Sequence, residues 1–122
     1  MAMVLVVEND ISSLVAICAI VQKMGHTPIK ALNGRIAWEF LESNHALIDL
    51  VITDIQMPDM DGYALIDRIR ASKSFADMPI IVQSGYLGVK ATRRLMGKNI
   101  DCVMPKPIET CFLKDYVNRY LH

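Results

Sequence analysis

The chain has 122 residues, and 13 Lys plus Arg are balanced by 13 Asp plus Glu, so its formal net charge is zero. That length suits a single domain over residues 1–122, able to bury roughly two-thirds of its unfolded surface without a disulfide or metal staple. A composition of 52% hydrophobic and 21% charged residues is globular, and the charge balance excludes a general attraction to nucleic acid or to an anionic membrane.

Met3–Val7 is an unbroken apolar run rich in Val, as in a strand buried on both faces. Asp10 and Ser12 offer N-cap side chains for a helix that runs to about Met24, with Gly25 at the C′ position. Thr27–Ala31 reads as a second strand, and Pro28, which has no N–H to donate, places it at a sheet edge. Asn33-Gly34 marks a turn before a helix over Arg35–Ser43. Leu50–Asp54 is the third strand, residues 57–62 form a loop, and Tyr63–Ala71 is a helix with Leu65, Ile66 and Ile69 on one face. Pro79 opens a fourth strand, Ile80–Gln83. A helix around Val89–Met96, a short strand at Cys102–Met104 and a helix over Glu109–Leu121 complete five β–α units. This alternation predicts an α/β fold, a doubly wound parallel sheet covered by helices on both faces.

Three cysteines, Cys18, Cys102 and Cys111, show no CxxC pairing and predict reduced thiols in a cytoplasmic protein. Met1-Ala2-Met3-Val4 lacks a basic signal-like region. The longest apolar run, Leu14–Val21, is far too short to span a bilayer. His26, His45 and His122 have no metal-ligand spacing, and neither GxGxxG nor GxxxxGK[ST] is present.

In a doubly wound sheet the functional crevice lies at the carboxyl ends of the strands. The residues there are Glu8 and Asn9, Asp54, Ser84 and Lys106. A carboxylate can attack phosphorus, but the meeting of two anions calls for a divalent cation and a lysine to offset the charge. Mg²⁺ takes hard oxygen ligands, which Glu8 and Asp54 supply. The Ser84 hydroxyl can donate to a phosphoryl oxygen, and Lys106 is a compact charge on a long stem. Taken singly, each of these residues is ordinary turn or surface chemistry. Four complementary groups at the strand ends of one sheet are much less expected by accident.

The segments Val4-Leu5-Val6-Val7-Glu8-Asn9, Val51-Ile52-Thr53-Asp54-Ile55-Gln56-Met57-Pro58-Asp59-Met60-Asp61-Gly62, Pro79-Ile80-Ile81-Val82-Gln83-Ser84-Gly85 and Lys106-Pro107-Ile108 resemble, in order and at family spacing, the four signatures of response-regulator receiver domains. The resemblance covers essentially the whole chain. It implies the flavodoxin-like strand order 2-1-3-4-5, phosphorylation of Asp54 by a histidine kinase or histidine-phosphotransfer domain, and slow self-hydrolysis. It implies Mg²⁺ held by Glu8, Asn9, Asp54 and the Gln56 carbonyl, with Ser84 and Lys106 drawn toward the phosphoryl group and a cis peptide before Pro107. It places rate tuning at Gln56 and Tyr86. The wording around Gln56 and Lys106 resembles receivers of hybrid sensor kinases, so the chain is expected to be either a single-domain regulator or part of a larger protein.

Two positions depart from the family. Asn9 stands where a second acid is usual, so Mg²⁺ is expected to bind more weakly than to an Asn9→Asp variant. Val103 stands where a switching aromatic is usual, and a β-branched side chain has no ring to swing. These departures support the alternative, a pseudo-receiver that binds partners without phosphorylation. A phosphohydrolase is disfavoured because Gln56 cannot serve as the general acid. The first helix carries two apolar stripes: Ile17, Ile20, Val21 and Met24, which the resemblance places in the core, and Ile11, Leu14, Val15 and Cys18, which reads either as buried under neighbouring helices or as a docking patch for a phosphotransfer helix. A homodimer stays open; nucleic acid and membrane are not expected partners.

Overall fold

Every apolar run read as a strand forms one, and all five join one parallel sheet in the computed structural model, which describes residues 2–44, 47–55, 60–85, 93–95, 97–100, 102–106 and 108–121. The strands are β1 (Met3–Val7), β2 (Thr27–Ala31), β3 (Leu50–Asp54), β4 (Ile80–Ser84) and β5 (Cys102–Pro105), in the order β2-β1-β3-β4-β5. The helices α1 (Ile11–Lys23), α2 (Gly34–Asn44), α3 (Gly62–Ala71) and α4 (Thr110–Tyr120) cover its faces. Of the helix expected over Val89–Met96, residues 93–95 are helical, and its other residues, with Met96, lie outside the described set.

The unbroken apolar runs follow from burial on both sides. Every residue of β3 and β4 is buried. Because successive side chains alternate faces, Val4, Val6, Ile52 and Ile81 join Leu14, Ile17 and Val21 of α1 and Leu113 and Val117 of α4 in one core. Leu5, Val7, Val51, Ile80 and Val82 face the other way, onto Ala37 and Leu41 of α2 and Leu65, Ile66 and Ile69 of α3. Pro28 sits on β2 opposite Val4 of β1, on the edge strand where its missing N–H breaks no ladder.

The helix ends show the chemistry read from the sequence. Asp10 caps α1, its carboxylate accepting from the Ser13 N–H at 2.9 Å and the Ser13 hydroxyl at 2.7 Å; these bonds hold its pKa below the ordinary carboxylate value. Gly25, at φ +91°, closes α1: its N–H donates to the Gln22 carbonyl and that of His26 to the Val21 carbonyl, the paired bonds of a Schellman motif. α2 starts one residue earlier than expected, with the Asn33 side chain accepting from the Ile36 N–H at 2.8 Å. α3 also starts one residue early, capped by Asp61 through the Ala64 N–H at 3.0 Å.

The division of α1 into two stripes is corrected. Leu14 and Cys18, read either as docking surface or as buried, are each 4% exposed and belong to the core, so they leave the docking patch. Leu14, Ile17, Cys18 and Val21 are themselves spaced i, i+3, i+4, i+7 and form a single stripe, buried because α1 lies against both the sheet and α4. Ile20 and Met24 flank that stripe, partly buried. Only Ile11 and Val15 of the proposed patch are exposed, at 66% and 53%.

Candidate functional site

The buried polar and charged side chains among the described residues are Glu8, Thr53, Asp54, Gln83 and Ser84. All five stand at the carboxyl ends of β1, β3 and β4. Burying such groups is costly unless they are partnered, and no buried side-chain nitrogen or oxygen among the described residues lacks a hydrogen-bond partner. The polar groups are therefore concentrated at one edge and built into it.

Lys106, one residue past β5, organises them. Its ammonium pairs with Glu8 Oε1 and donates to Asp54 Oδ2 at 2.8 Å. Burial alone would lower the lysine pKa, but the hydrogen bonds to Asp54 and Glu8 outweigh it and raise the value above the ordinary one. Its own backbone N–H donates to the Ser84 carbonyl at 2.9 Å, which fixes the lysine to the end of β4. Asp54 uses its other oxygen to accept from the Ile55 N–H at 2.7 Å. Glu8, fully buried, accepts from the Asp10 N–H on Oε2 at 2.9 Å and from the Gln83 amide on Oε1 at 3.4 Å.

The structure thus brings together Glu8, Asp54 and Lys106, and sets Ser84 buried beside them on the next strand. Asn9 is exposed on the rim, outside this buried set. Val103 is 38% exposed, so the position expected to carry a switching aromatic faces solvent with a small aliphatic group. Gln56, Tyr86 and the peptide before Pro107 lie outside the described residues, as do His45 and His122. Among the described residues no group of three or more His, Cys, Asp or Glu side chains is placed to hold a metal; the acidic pair is Glu8 with Asp54.

Two parts of the site were not read from the sequence. Gly62 packs its backbone against the end of β3, its N–H donating to the Ile55 carbonyl at 2.8 Å. A Cβ there would stand 2.2 Å from the Asp54 carbonyl oxygen. Gln83 is the other. Its signal was available as a polar residue ending an otherwise apolar buried strand, Ile80-Ile81-Val82-Gln83.

Chemically, the edge combines a carboxylate able to attack an electrophilic phosphorus, a fixed ammonium to offset the charge, and a nearby hydroxyl. A five-stranded parallel sheet in this order, with acids and a lysine gathered at its carboxyl edge, defines the class as a flavodoxin-like α/β domain. Residues 4–118 match the model of the response regulator receiver domain, so the chain belongs to that family, the receiver domains of two-component systems. It is 34% identical over 112 residues to a two-component response regulator-like protein, PRR73, of Oryza sativa, a match covering 92% of this chain and 15% of that protein. The chain therefore spans about 15% of the length of that curated relative. A receiver domain of a signal transduction histidine kinase from Syntrophus aciditrophicus superimposes with a TM-score of 0.91 at 27% identity, covering 99% of this chain and 90% of that one. The chemotaxis protein CheY4 of Vibrio cholerae superimposes with a TM-score of 0.89 over 99% of both chains at 23% identity, which shows the shared fold.

Proposed function

We propose that this receiver domain accepts a phosphoryl group on Asp54 from a phosphohistidine partner, a histidine kinase or a histidine-phosphotransfer domain. The observation that carries this reading is the hydrogen bond of the Lys106 ammonium to Asp54 in an edge where that same ammonium also engages the buried Glu8. In the transfer, an Asp54 carboxylate oxygen forms a bond to phosphorus as the bond from phosphorus to the imidazole nitrogen breaks. The electron pair stays on that nitrogen, which takes up a proton. Lys106 offsets the negative charge gathered at the edge, and the Ser84 hydroxyl donates to a phosphoryl oxygen.

The donor set fits Mg²⁺ in kind. Two carboxylates already converge on one cationic group, and hard oxygens are what this ion takes. Glu8 and Asp54 would hold it, with Asn9 and the Gln56 carbonyl as neutral oxygen donors. Bound there, the ion supplies positive charge where nucleophile and phosphoryl group meet.

A second reading, a partner-binding module that works without phosphorylation, is favoured by one observation: Asn9 is exposed and uncharged where a further acid would strengthen the metal site. Borohydride trapping separates the two. After incubation with a small acyl phosphate and Mg²⁺, reduction of an aspartyl phosphate should convert residue 54 to homoserine, found by peptide mapping. An unchanged Asp54 peptide, under conditions that label an ordinary receiver, would favour the second reading.

A further inference from the structure

Gln83 has no part in the chemistry above, and its setting is unusual for an amide. β4 is buried at every position. Ile81, two residues earlier and on the same side of the sheet, packs in the apolar core with α1 and α4. Gln83 continues that side at 1% exposure, where an aliphatic residue would avoid the desolvation cost of an amide.

The strand register shows what the amide reaches. Val7 pairs with Thr53, and Asp54 pairs with Gln83, so Glu8, Asp54 and Gln83 form one row across the ends of β1, β3 and β4. The Gln83 amide crosses β3 to donate to Glu8 Oε1 at 3.4 Å. Glu8 is then held from three sides, by this amide, by Lys106 and by the Asp10 N–H. Lys106 holds it with a positive charge that also opposes an incoming cation. Gln83 holds it with a neutral donor and leaves the carboxylate charge intact.

We propose that Gln83 is a positioning residue that keeps the Glu8 carboxylate in the row with Asp54, so that the two oxygens meet a divalent cation as a preorganised pair in a chain whose next position is Asn9. This rests on the phosphoacceptor reading of the same edge, and concerns how a site with only two acids is kept competent.

The test is a titration with Mg²⁺ alone, followed by amide NMR, of the wild type, Gln83→Met and Gln83→Asn. Met keeps the length and removes the donor, while Asn keeps the amide but is one carbon short. Both variants should bind Mg²⁺ about three- to tenfold more weakly, the size expected for losing one such hydrogen bond. The Asp10 amide resonance should shift before any Mg²⁺ is added, because that N–H donates to Glu8. A purely structural role would instead lower the thermal midpoint and leave the Mg²⁺ constant unchanged. Unchanged Mg²⁺ affinity in both variants would overturn the proposal while the receiver reading stands. A wild type that neither binds Mg²⁺ nor becomes phosphorylated would overturn both.

Discussion

One ammonium serves two acids at this edge, and Glu8, the fully buried one, depends on it most. Removing one partner of such a pair leaves an uncompensated charge in a poorly hydrated place, which typically costs about 3 kcal/mol. Lys106→Ala should therefore destabilise the domain by about that amount in denaturant melts, and Glu8→Gln with Lys106→Met should recover much of it. The sign of the pH dependence follows from the raised lysine pKa. The contribution of Lys106 is complete below the unfolded-state value of about 10.4 and is lost as pH rises through the folded-state value, so the gap between wild type and variant should narrow only at strongly alkaline pH. Asn9 gives the opposite kind of change. Asn9→Asp adds a third carboxylate to the rim and should tighten Mg²⁺ binding in a titration; equal affinities would show that position 9 does not face the ion. Both residues could be singled out from the sequence, because each ends a strand run. Gln83 could not be assigned its partner there, since the bond to Glu8 spans 75 positions of sequence and exists only once the sheet has formed.

The elements differ in how plainly the sequence announced them. β1, β3 and β4 were evident as continuous aliphatic runs, and Pro28 marked the edge strand, because backbone donor chemistry is local. The face of α1 was not. Two overlapping stripes share the same helical spacing, and only packing against both the sheet and α4 decides between them. The consequence is measurable. Leu14→Ala should cost about 2–5 kcal/mol as a core truncation, whereas Ile11→Lys with Val15→Lys should leave stability nearly unchanged. If α1 is the docking face, that exposed pair should slow transfer from a phosphohistidine partner but not labelling by a small phosphodonor; equal transfer rates would remove α1 from the interface. The start of α3 is similarly constrained. Gly62→Ala drives a methyl group into the Asp54 carbonyl, and overpacking of this kind costs about 1–3 kcal/mol. Labelling at Asp54 should fall along with the melting temperature, because the helix cannot retreat without moving the end of β3. Away from the site, Arg70 of α3 donates to the Ala76, Met78, Lys98 and Asn99 carbonyls. This tie between distant segments has no signature in a surface-like Arg of a helical pattern.

In the whole molecule, the parallel sheet divides two apolar cores and leaves its carboxyl edge as the place where buried polar groups gather. Topology explains how a chain of zero formal net charge can still concentrate charge: the strand order sets β1 and β4 on either side of β3, and β5 returns Lys106 to the same edge. The general architecture was therefore readable from alternation alone, and the site from which residues end each strand. The convergence of Glu8, Asp54 and Lys106 required the fold. The most direct measurement is the intact mass of the wild type and of Asp54→Ala after incubation with a small phosphodonor and Mg²⁺. A single phosphoryl adduct on the wild type and none on Asp54→Ala is the expected result. No adduct on the wild type, or the same adduct on both proteins, would contradict the assignment of Asp54 as phosphoacceptor.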